Sequence, residues 1–450
     1  MSIKPSVTTP ASAAHVGKQA DNAWSVLFLL FLVNLLNFFD RTIPAVVLEP
    51  MRLEFELNDL QLGIVGAAFT VVYAIAGIPL GRMSDTGSRK KVLALGLSIW
   101  SGLTAATGMA TSYMTLLLAR MGVGVGEASC APAATSLIGD LFPANKRSRA
   151  MGVFMLGLPL GLVLAFFTVG AMVKAFDSWR APFFIAAIPG LLLAAVILFM
   201  REPARGAAED TALGQNVLDR PLRRVLSIPT MWWIILSGVA VNFAAYAGNG
   251  YLVALLQRYY DLPIDQAAML TGLIVGVTGL IGLTIGGQLS DRIHMRSQTG
   301  RLNYGALCMV IAAVATGFAL DGDNGVMAFS ILFGIGWLTY YSYYTTVYPA
   351  LQDVVEPRLR ATAMALYFAG MYLLGGAFGL VVVGGLSDYL ANEAMVAAGA
   401  LEMTEAFRAI GLHDAMYLVP VTLGITAVFV FLAGRSFRKD HLRMLDQMAH

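Results

Sequence analysis

Twelve times along this chain of 450 residues, a stretch of roughly 18 to 29 residues runs with few charges and frequent glycine. A bilayer core of about 30 Å needs about 20 apolar residues per helix. The stretches therefore read as membrane-spanning helices at 23–48, 60–82, 91–112, 114–141, 149–174, 181–200, 229–257, 266–290, 303–320, 325–350, 360–386 and 413–434. Gly and Pro recur inside them, as membrane helices tolerate, and the alternation of a β-barrel is absent. Composition agrees: 57% of residues are hydrophobic and 13% charged, against about 25% charged in soluble proteins. The expected class is an all-α integral membrane protein.

Positive charge orients it. With the N-terminus placed inside, the alternating loops put 23 Lys and Arg inside and five outside (Arg52, Lys174, Arg180, Arg258 and Arg408), with Arg41 and Arg120 within spans. That bias is the positive-inside signature and sets both termini in the cytoplasm, in an inner (plasma) membrane. The polar segment 201–228 divides the spans six and six. The expected organisation is a disordered tail over 1–22, a first half over 23–200, a linker over 201–228, a second half over 229–434, and a basic cytoplasmic tail over 435–450. The first apolar run is too long for a signal-peptide core and is read as retained. Gly81-Arg82-Met83-Ser84-Asp85 closes helix 2, and Gly287-Gln288-Leu289-Ser290-Asp291 closes helix 8 at the equivalent place in the second half. Such parallel repeats are one transporter plan.

A net charge of +2 gives no reason to expect nucleic acid, the five scattered histidines show no metal-ligand spacing, and Cys130 and Cys308 lie inside apolar spans. No metal, cofactor or disulfide framework is expected. Nor is an enzyme: there is no nucleotide-binding fingerprint, no Ser-His-Asp set and no large extramembrane domain.

At the level of motifs the chain resembles the major facilitator superfamily over essentially its whole membrane region. Gly81-x-x-x-Asp85-x-x-x-Arg89-Lys90 resembles that superfamily's helix 2–3 signature, with Ser88 at the place of its usual glycine. Arg120-x-x-x-Gly124-x-Gly126 resembles its helix 4 motif, and Gly157-Leu158-Pro159-Leu160-Gly161 its helix 5 motif. Asn37-Phe38-Phe39-Asp40-Arg41, Gly122 to Ser129 with Ala131-Pro132-Ala133, Asp140-Leu141-Phe142-Pro143 and Arg201-Glu202-Pro203 resemble the Spinster branch. That resemblance implies a twelve-helix fold in two six-helix halves, export of lysophospholipids or sphingoid phosphates, and proton coupling as proposed for bacterial members. It also implies a monomer. An Asp-Arg pair in helix 1 occurs in organic-anion symporters of the superfamily as well.

The ionisable residues inside the spans carry the chemistry, because an acid or base in lipid seldom persists without a use. Neighbours on a helix point about 100° apart, so Asp40 and Arg41 cannot face one partner. Glu127 is the best candidate to meet Arg41. Arg120 lies two turns away from Glu127 on the same face of helix 4. Asp40 is then the carboxylate freest to exchange a proton, since burial disfavours an acid's charged form. Asp40 and Glu127 are the expected proton-coupling pair, with Glu127 competing with an anionic headgroup for Arg41. A static ion-pair network locking helix 1 to helix 4 is the bland counterpart.

Asp85 and Arg89, four apart, are expected to pair on one helical face as a cytoplasmic latch with Gly81, echoed at Asp291. Gly157, Pro159 and Gly161 allow helix 5 to bend or to approach a neighbour closely. The second half carries no comparable acid within a span. It has Asn242, Tyr246 and Asn249 on helix 7, Tyr340, Tyr341, Tyr343, Tyr344 and Tyr348 on helix 10, and Tyr367 and Tyr372 on helix 11. Asn242, Tyr246, Asn249, Tyr344 and Tyr367 are the candidate substrate contacts there, beside Arg41, Arg120 and Glu127, although any single tyrosine is more often core or interface. The loop 387–412, with Asp388, Glu393, Glu402 and Glu405, reads as a solvated outer face. A proton-coupled exporter of an amphipathic lipid or organic solute fits best. Its partners would be protons, membrane lipids and a lysolipid or other small molecule. An organic-anion:proton symporter and a multidrug exporter are the alternatives.

Overall fold

In a bilayer every backbone donor and acceptor must be met within its own segment, which leaves helices as the solution for apolar runs of this length. The computed structural model describes residues 10–205, 207, 221–297, 299–321, 325–356 and 359–449, and among these the regular structure is helical. Twelve long helices follow one another: α1 (Pro10–Val46), α2 (Asp59–Thr86), α3 (Arg89–Gly108), α4 in two pieces (Tyr113–Glu127 and Cys130–Leu141), α5 (Arg149–Phe176), α6 (Ala181–Phe199), α7 (Pro229–Arg258), α8 (Ile264–His294), α9 (Gly300–Ala319), α10 (Val326–Asp353), α11 (Thr362–Ala397) and α12 (Glu405–Asp446). Ten are long and apolar enough by themselves to cross a membrane. The other two are α3, which opens on Arg89-Lys90-Lys91, and α4, which breaks at Ala128–Ser129 directly after buried Glu127.

Three boundaries differ from expectation. The first helix begins at Pro10, so 10–22 extend α1 rather than forming a tail. That segment holds four alanines and no proline after Pro10, so nothing in it interrupts the hydrogen-bond ladder. Residues 1–9 lie outside the described residues. So do 206 and 208–220 of the linker, whose end forms a short helix, Pro221–Leu226. Finally, α11 does not stop at residue 386 but runs to Ala397, and α12 begins at Glu405. Asp388, Glu393 and Glu405 of the expected solvated loop are therefore placed on helices, and Glu402 lies in the bend between them.

Side-chain size sets how the helices meet. A Cβ on Gly161 would lie 2.4 Å from the Leu35 carbonyl oxygen, and one on Gly157 would lie 2.7 Å from the Leu35 amide nitrogen. These two glycines let α5 lie directly on α1. Pro159 lacks the amide that would bond the Met155 carbonyl, and the helix breaks there, between Ala144–Met155 and Gly157–Phe176. The halves touch through α2 with α11, α5 with α8, and α1 with α7. Both α8 and α11 contain a widened π turn, Gly272–Val277 and Met371–Gly376. Asn242 Nδ2 donates to the Met371 carbonyl at 2.8 Å, satisfying a backbone group beside the second of these turns.

Since its added carbons would meet backbone, Gly161→Val is expected to destabilise the protein by about 1–3 kcal/mol, seen as a lower melting temperature in detergent. Gly102→Ala, which meets nothing within 4 Å, should leave it unchanged. Equal melting temperatures for Gly161→Val and wild type would contradict the close approach.

Candidate functional site

The centre of the first half is built by the 100° offset between consecutive residues of α1. Asp40, fully buried, accepts a hydrogen bond at Oδ2 from Trp100 Nε1 on α3 at 3.1 Å. Arg41 turns instead toward α2 and α4. Its Nε donates to Glu127 Oε2 at 2.6 Å, and its guanidinium lies 4.2 Å over the Tyr73 ring and 5.2 and 5.4 Å from Phe38 and Phe69. Arg120 packs over Phe69 at 5.0 Å, within electrostatic reach of both Asp40 and Glu127. Two acids and two bases thus share a site out of water, where charges persist because they are paired.

From the second half, Tyr246 on α7 stands within electrostatic reach of Arg41, and Tyr372 on α11 meets the Tyr246 ring edge-on at 6.4 Å. The remaining expected contacts are engaged inside their own half. Asn242 holds the Met371 carbonyl, Asn249 Oδ1 accepts from Trp337 Nε1 at 3.2 Å, Tyr344 is hydroxyl-bonded to Tyr340, and Tyr367 shares a 3.1 Å hydroxyl contact with Tyr343.

At the end of the bundle that the charge bias reads as inner, the expected Asp85–Arg89 pair does not form. Helix α2 ends at Thr86 and the Gly87-Ser88 turn intervenes, so the two residues are not one turn apart on one helix. Asp85 is exposed. Arg89 is buried and binds Asp140 at the end of α4, Glu202 Oε1 (3.0 Å from Nε) and the Pro203 carbonyl (2.6 Å). Ser88, where the signature has glycine, caps α3 and donates to Glu202 Oε2 at 2.5 Å. Arg205 closes the end of α2 by donating to the Ser84 and Gly87 carbonyls, each at 2.8 Å. Gly81 makes no tight approach, and Asp291 is exposed, 3.7 Å from Arg301. What forms instead is an Arg89–Asp140–Glu202 clamp that ties the first half to the start of the linker. The phrases containing Asp140 and Glu202 stood in the sequence without a partner assigned.

A second unanticipated cluster joins the two halves at the opposite end, the one that the charge bias reads as outer. Arg258, the last residue of α7, forks onto Asp59 of α2 (2.8 and 2.9 Å) and reaches Glu49 at 2.5 Å. Arg52 holds Glu49 at 2.6 Å and Glu405 at 2.5 Å. Asp388 on α11 accepts from the Asp59 and Leu60 amides at 3.0 and 2.8 Å, capping α2, and Ser387 donates to Asp59 Oδ2 at 2.6 Å. Arg258 and Asp59 are 3% and 2% exposed, so this is a desolvated seal rather than a set of surface pairs. Lys174 and Asp265 add an exposed tie at 2.8 Å between α5 and α8.

The Major Facilitator Superfamily model matches residues 30–380. The chain belongs to the major facilitator superfamily. This facilitator is 30% identical over 432 residues to an MFS-type efflux pump of Mycolicibacterium smegmatis, covering 93% of this chain and 94% of that protein. It is 27% identical to the sphingosine-1-phosphate transporter SPNS2 of Danio rerio, over 93% of this chain and 86% of that one. Its fold matches a bacterial homologue of the human lysosomal transporter Spinster, solved inward-facing and unoccupied, with a TM-score of 0.84 and 28% identity over 93% of this chain and 98% of the other. It is a multi-pass membrane transporter of the Spinster-like type, not an enzyme.

Two outcomes follow for this facilitator. Arg258→Gln removes the fork, and labelling of a single cysteine at Ser387 by an impermeant maleimide should rise several-fold; unchanged labelling would mean the seal does not gate access. Glu202 lies outside the spans. Partial burial pushes its carboxyl up, but hydrogen bonds from Ser88 and from the side chain and amide of Arg89 outweigh this and leave it below its ordinary value of 4.5. A carboxyl held low stabilises the fold above its unfolded pKa and loses that contribution as pH falls through the folded value. The melting-temperature gap between wild type and Glu202→Gln should therefore be widest near neutral pH and narrow below about 4.5; a constant gap into acid would refute it.

Proposed function

We propose that the chain is a proton-coupled secondary transporter that moves an amphipathic, anionic lipid-like or related organic solute by alternating access. The observation that carries this reading is the Arg41–Glu127 pair at 2.6 Å. The guanidinium is stacked on Tyr73 and stands next to Tyr246 of the opposite half. An anionic headgroup offers Arg41 the same oxygens as Glu127 does, so headgroup binding releases Glu127. A released, buried carboxylate is stable only if it takes a proton. Asp40, bonded to Trp100 and not to Arg41, supplies the second carboxylate of the couple.

The aromatic second half suits the apolar part of such a solute. Rings run from Phe329 through Phe333, Trp337, Tyr340, Tyr344 and Tyr348 to Phe368 and Tyr372, with centroids 4.9–6.2 Å apart. The names of the efflux pump and of the sphingosine-1-phosphate transporter support the same class. The setting would be the inner (plasma) membrane with both termini cytoplasmic, the chain acting as a monomer among membrane lipids.

Purified protein in liposomes with an imposed pH gradient tests this. Labelled lysolipid or sphingoid phosphate should move in response to the gradient. Asp40→Asn should lose the response, and Glu127→Gln should lower it by about tenfold or more. Movement of a labelled sugar acid alone would favour the organic-anion symporter. An unchanged pH response in Asp40→Asn would remove that residue's role.

A further inference from the structure

Around the middle of the first half, Asp40 Oδ1, Ser101 Oγ, Thr104 Oγ1 and Arg120 Nη1 are buried without a hydrogen-bond partner, and Asn37 faces the Glu127 carboxylate. None of the six residues is more than 3% exposed. They sit on three helices around one point. Trp100 of α3 reaches Asp40 of α1, and Arg120 lies within reach of Asp40 and Glu127.

The two hydroxyls are placed by helix geometry. Ser101 Oγ would lie 2.0 Å from a Cβ on Gly190, and Leu36 Cδ2 would lie 3.2 Å from the same Cβ, so Ser101 stands level with Leu36. Helices α1 and α3 run in the same direction. Asp40 lies about 6 Å beyond Leu36, and Thr104 about 4.5 Å beyond Ser101, at 1.5 Å per residue. At 100° per residue, Thr104 projects between the directions of Trp100 and Ser101. Thr104 therefore lies one helical turn beyond Trp100, whose indole holds the other carboxylate oxygen of Asp40.

Buried donors and acceptors left unmet are costly, so several at one place call for a partner. A metal ion does not fit this set, because Arg120 and Arg41 already supply the positive charge. Water does fit: it needs two to four polar partners, and here donors and acceptors converge from α1, α3 and α4.

We infer that Asn37, Asp40, Ser101, Thr104, Arg120 and Glu127 bind internal water that joins the two carboxylates, with Ser101 and Thr104 as its positioning hydroxyls. The other charged or titratable groups facing the site are Arg41, with Tyr73 and Tyr246 around its guanidinium, and Cys130. The transfer balances. The O–H bond of protonated Asp40 breaks as its proton passes to water, and an O–H of that water breaks as its proton binds Glu127 Oε1. Asp40 is left as a carboxylate held by Trp100 and Arg120, and Glu127 becomes neutral and lets go of Arg41. This role for the water rests on the proton-coupled reading above, whereas the hydration itself does not.

Hydroxyl-radical footprinting by synchrotron X-rays separates the two, since radicals formed from bound water oxidise adjacent buried side chains. Trp100 and Trp337 are both fully buried, so Trp337 is the reference. In wild type, Trp100 should be oxidised several-fold faster than Trp337, and Thr104→Val should reduce that rate several-fold. Ser101→Ala serves as a second variant should Thr104→Val fail to elute as a single species. Trp100 rates no higher than those of Trp337, or rates unchanged in the hydroxyl variants, would overturn the hydration site. In liposomes, the variants should lose most pH-gradient-driven uptake while keeping substrate counterflow, which needs no net proton movement. Wild-type protein with rapid Trp100 labelling but no response to a pH gradient would leave the water in place and refute the proton-coupled reading instead.

Discussion

A charge taken out of water needs a partner, and that cost decides where the buried ionised groups of this protein stand. The buried charges sort into layers along the membrane normal. Arg258, Asp59, Glu49 and Arg52 seal the outer end; Asp40, Arg41, Arg120 and Glu127 occupy the middle; Arg89, Asp140 and Glu202 clamp the inner end of the first half. The helices between these layers carry apolar and small side chains. Each layer has a different division of labour between the halves. The outer layer draws on both, the middle one draws its charges from the first half and its facing tyrosine from the second, and the inner clamp draws on the first half and the start of the linker.

Within the middle layer, adjacency in sequence produces separation in space. Asp40 and Arg41 are consecutive, yet the helical offset sends one to Trp100 and the other to Glu127. On the proposed proton-coupled reading, two neighbouring residues would then exchange different things, a proton at one and an anion at the other, without neutralising each other. Pairing Asp40 with Arg41 would have left neither available.

What could be read in advance follows from range. Lipid forbids unmet backbone groups, so twelve apolar stretches announce twelve helices with little dependence on tertiary context. The partner of Arg41 is legible for a similar reason, since few acids lie within spans. The outer seal is not. Asp388, Glu405 and Arg258 look like loop and cap residues because their partners lie some 200 to 350 positions away, and an acidic loop end resembles solvated surface unless the opposing helix is known. Asp85 and Arg89 mislead in the opposite way. Their spacing satisfies a helical rule, but the turn at Gly87-Ser88 takes them off a common helix, and Arg89 takes two acids from elsewhere. The π turns at Gly272 and Met371 leave no trace in the pattern of hydrophobicity, because one extra residue per turn only shifts which face is buried.

An electrostatic outer seal also explains how such a carrier can reopen. A transporter needs two states separated by a few kcal/mol, or one of them is never visited. Apolar surface pulled apart into water loses about 25 cal/mol per Å² with nothing returned, so a large greasy seal favours one state heavily. Ion pairs behave differently. The Arg258–Asp59 fork gains strength while dry, but it bears a desolvation cost that water refunds when the halves part. The exposed pairs that remain are worth only about 0–1 kcal/mol. Opening therefore exchanges a strong attraction for hydration of comparable size, and the net difference stays small. On the proposed alternating-access reading, Arg258 and Asp59 would hold this face shut in one state and still let the bound solute decide when it opens.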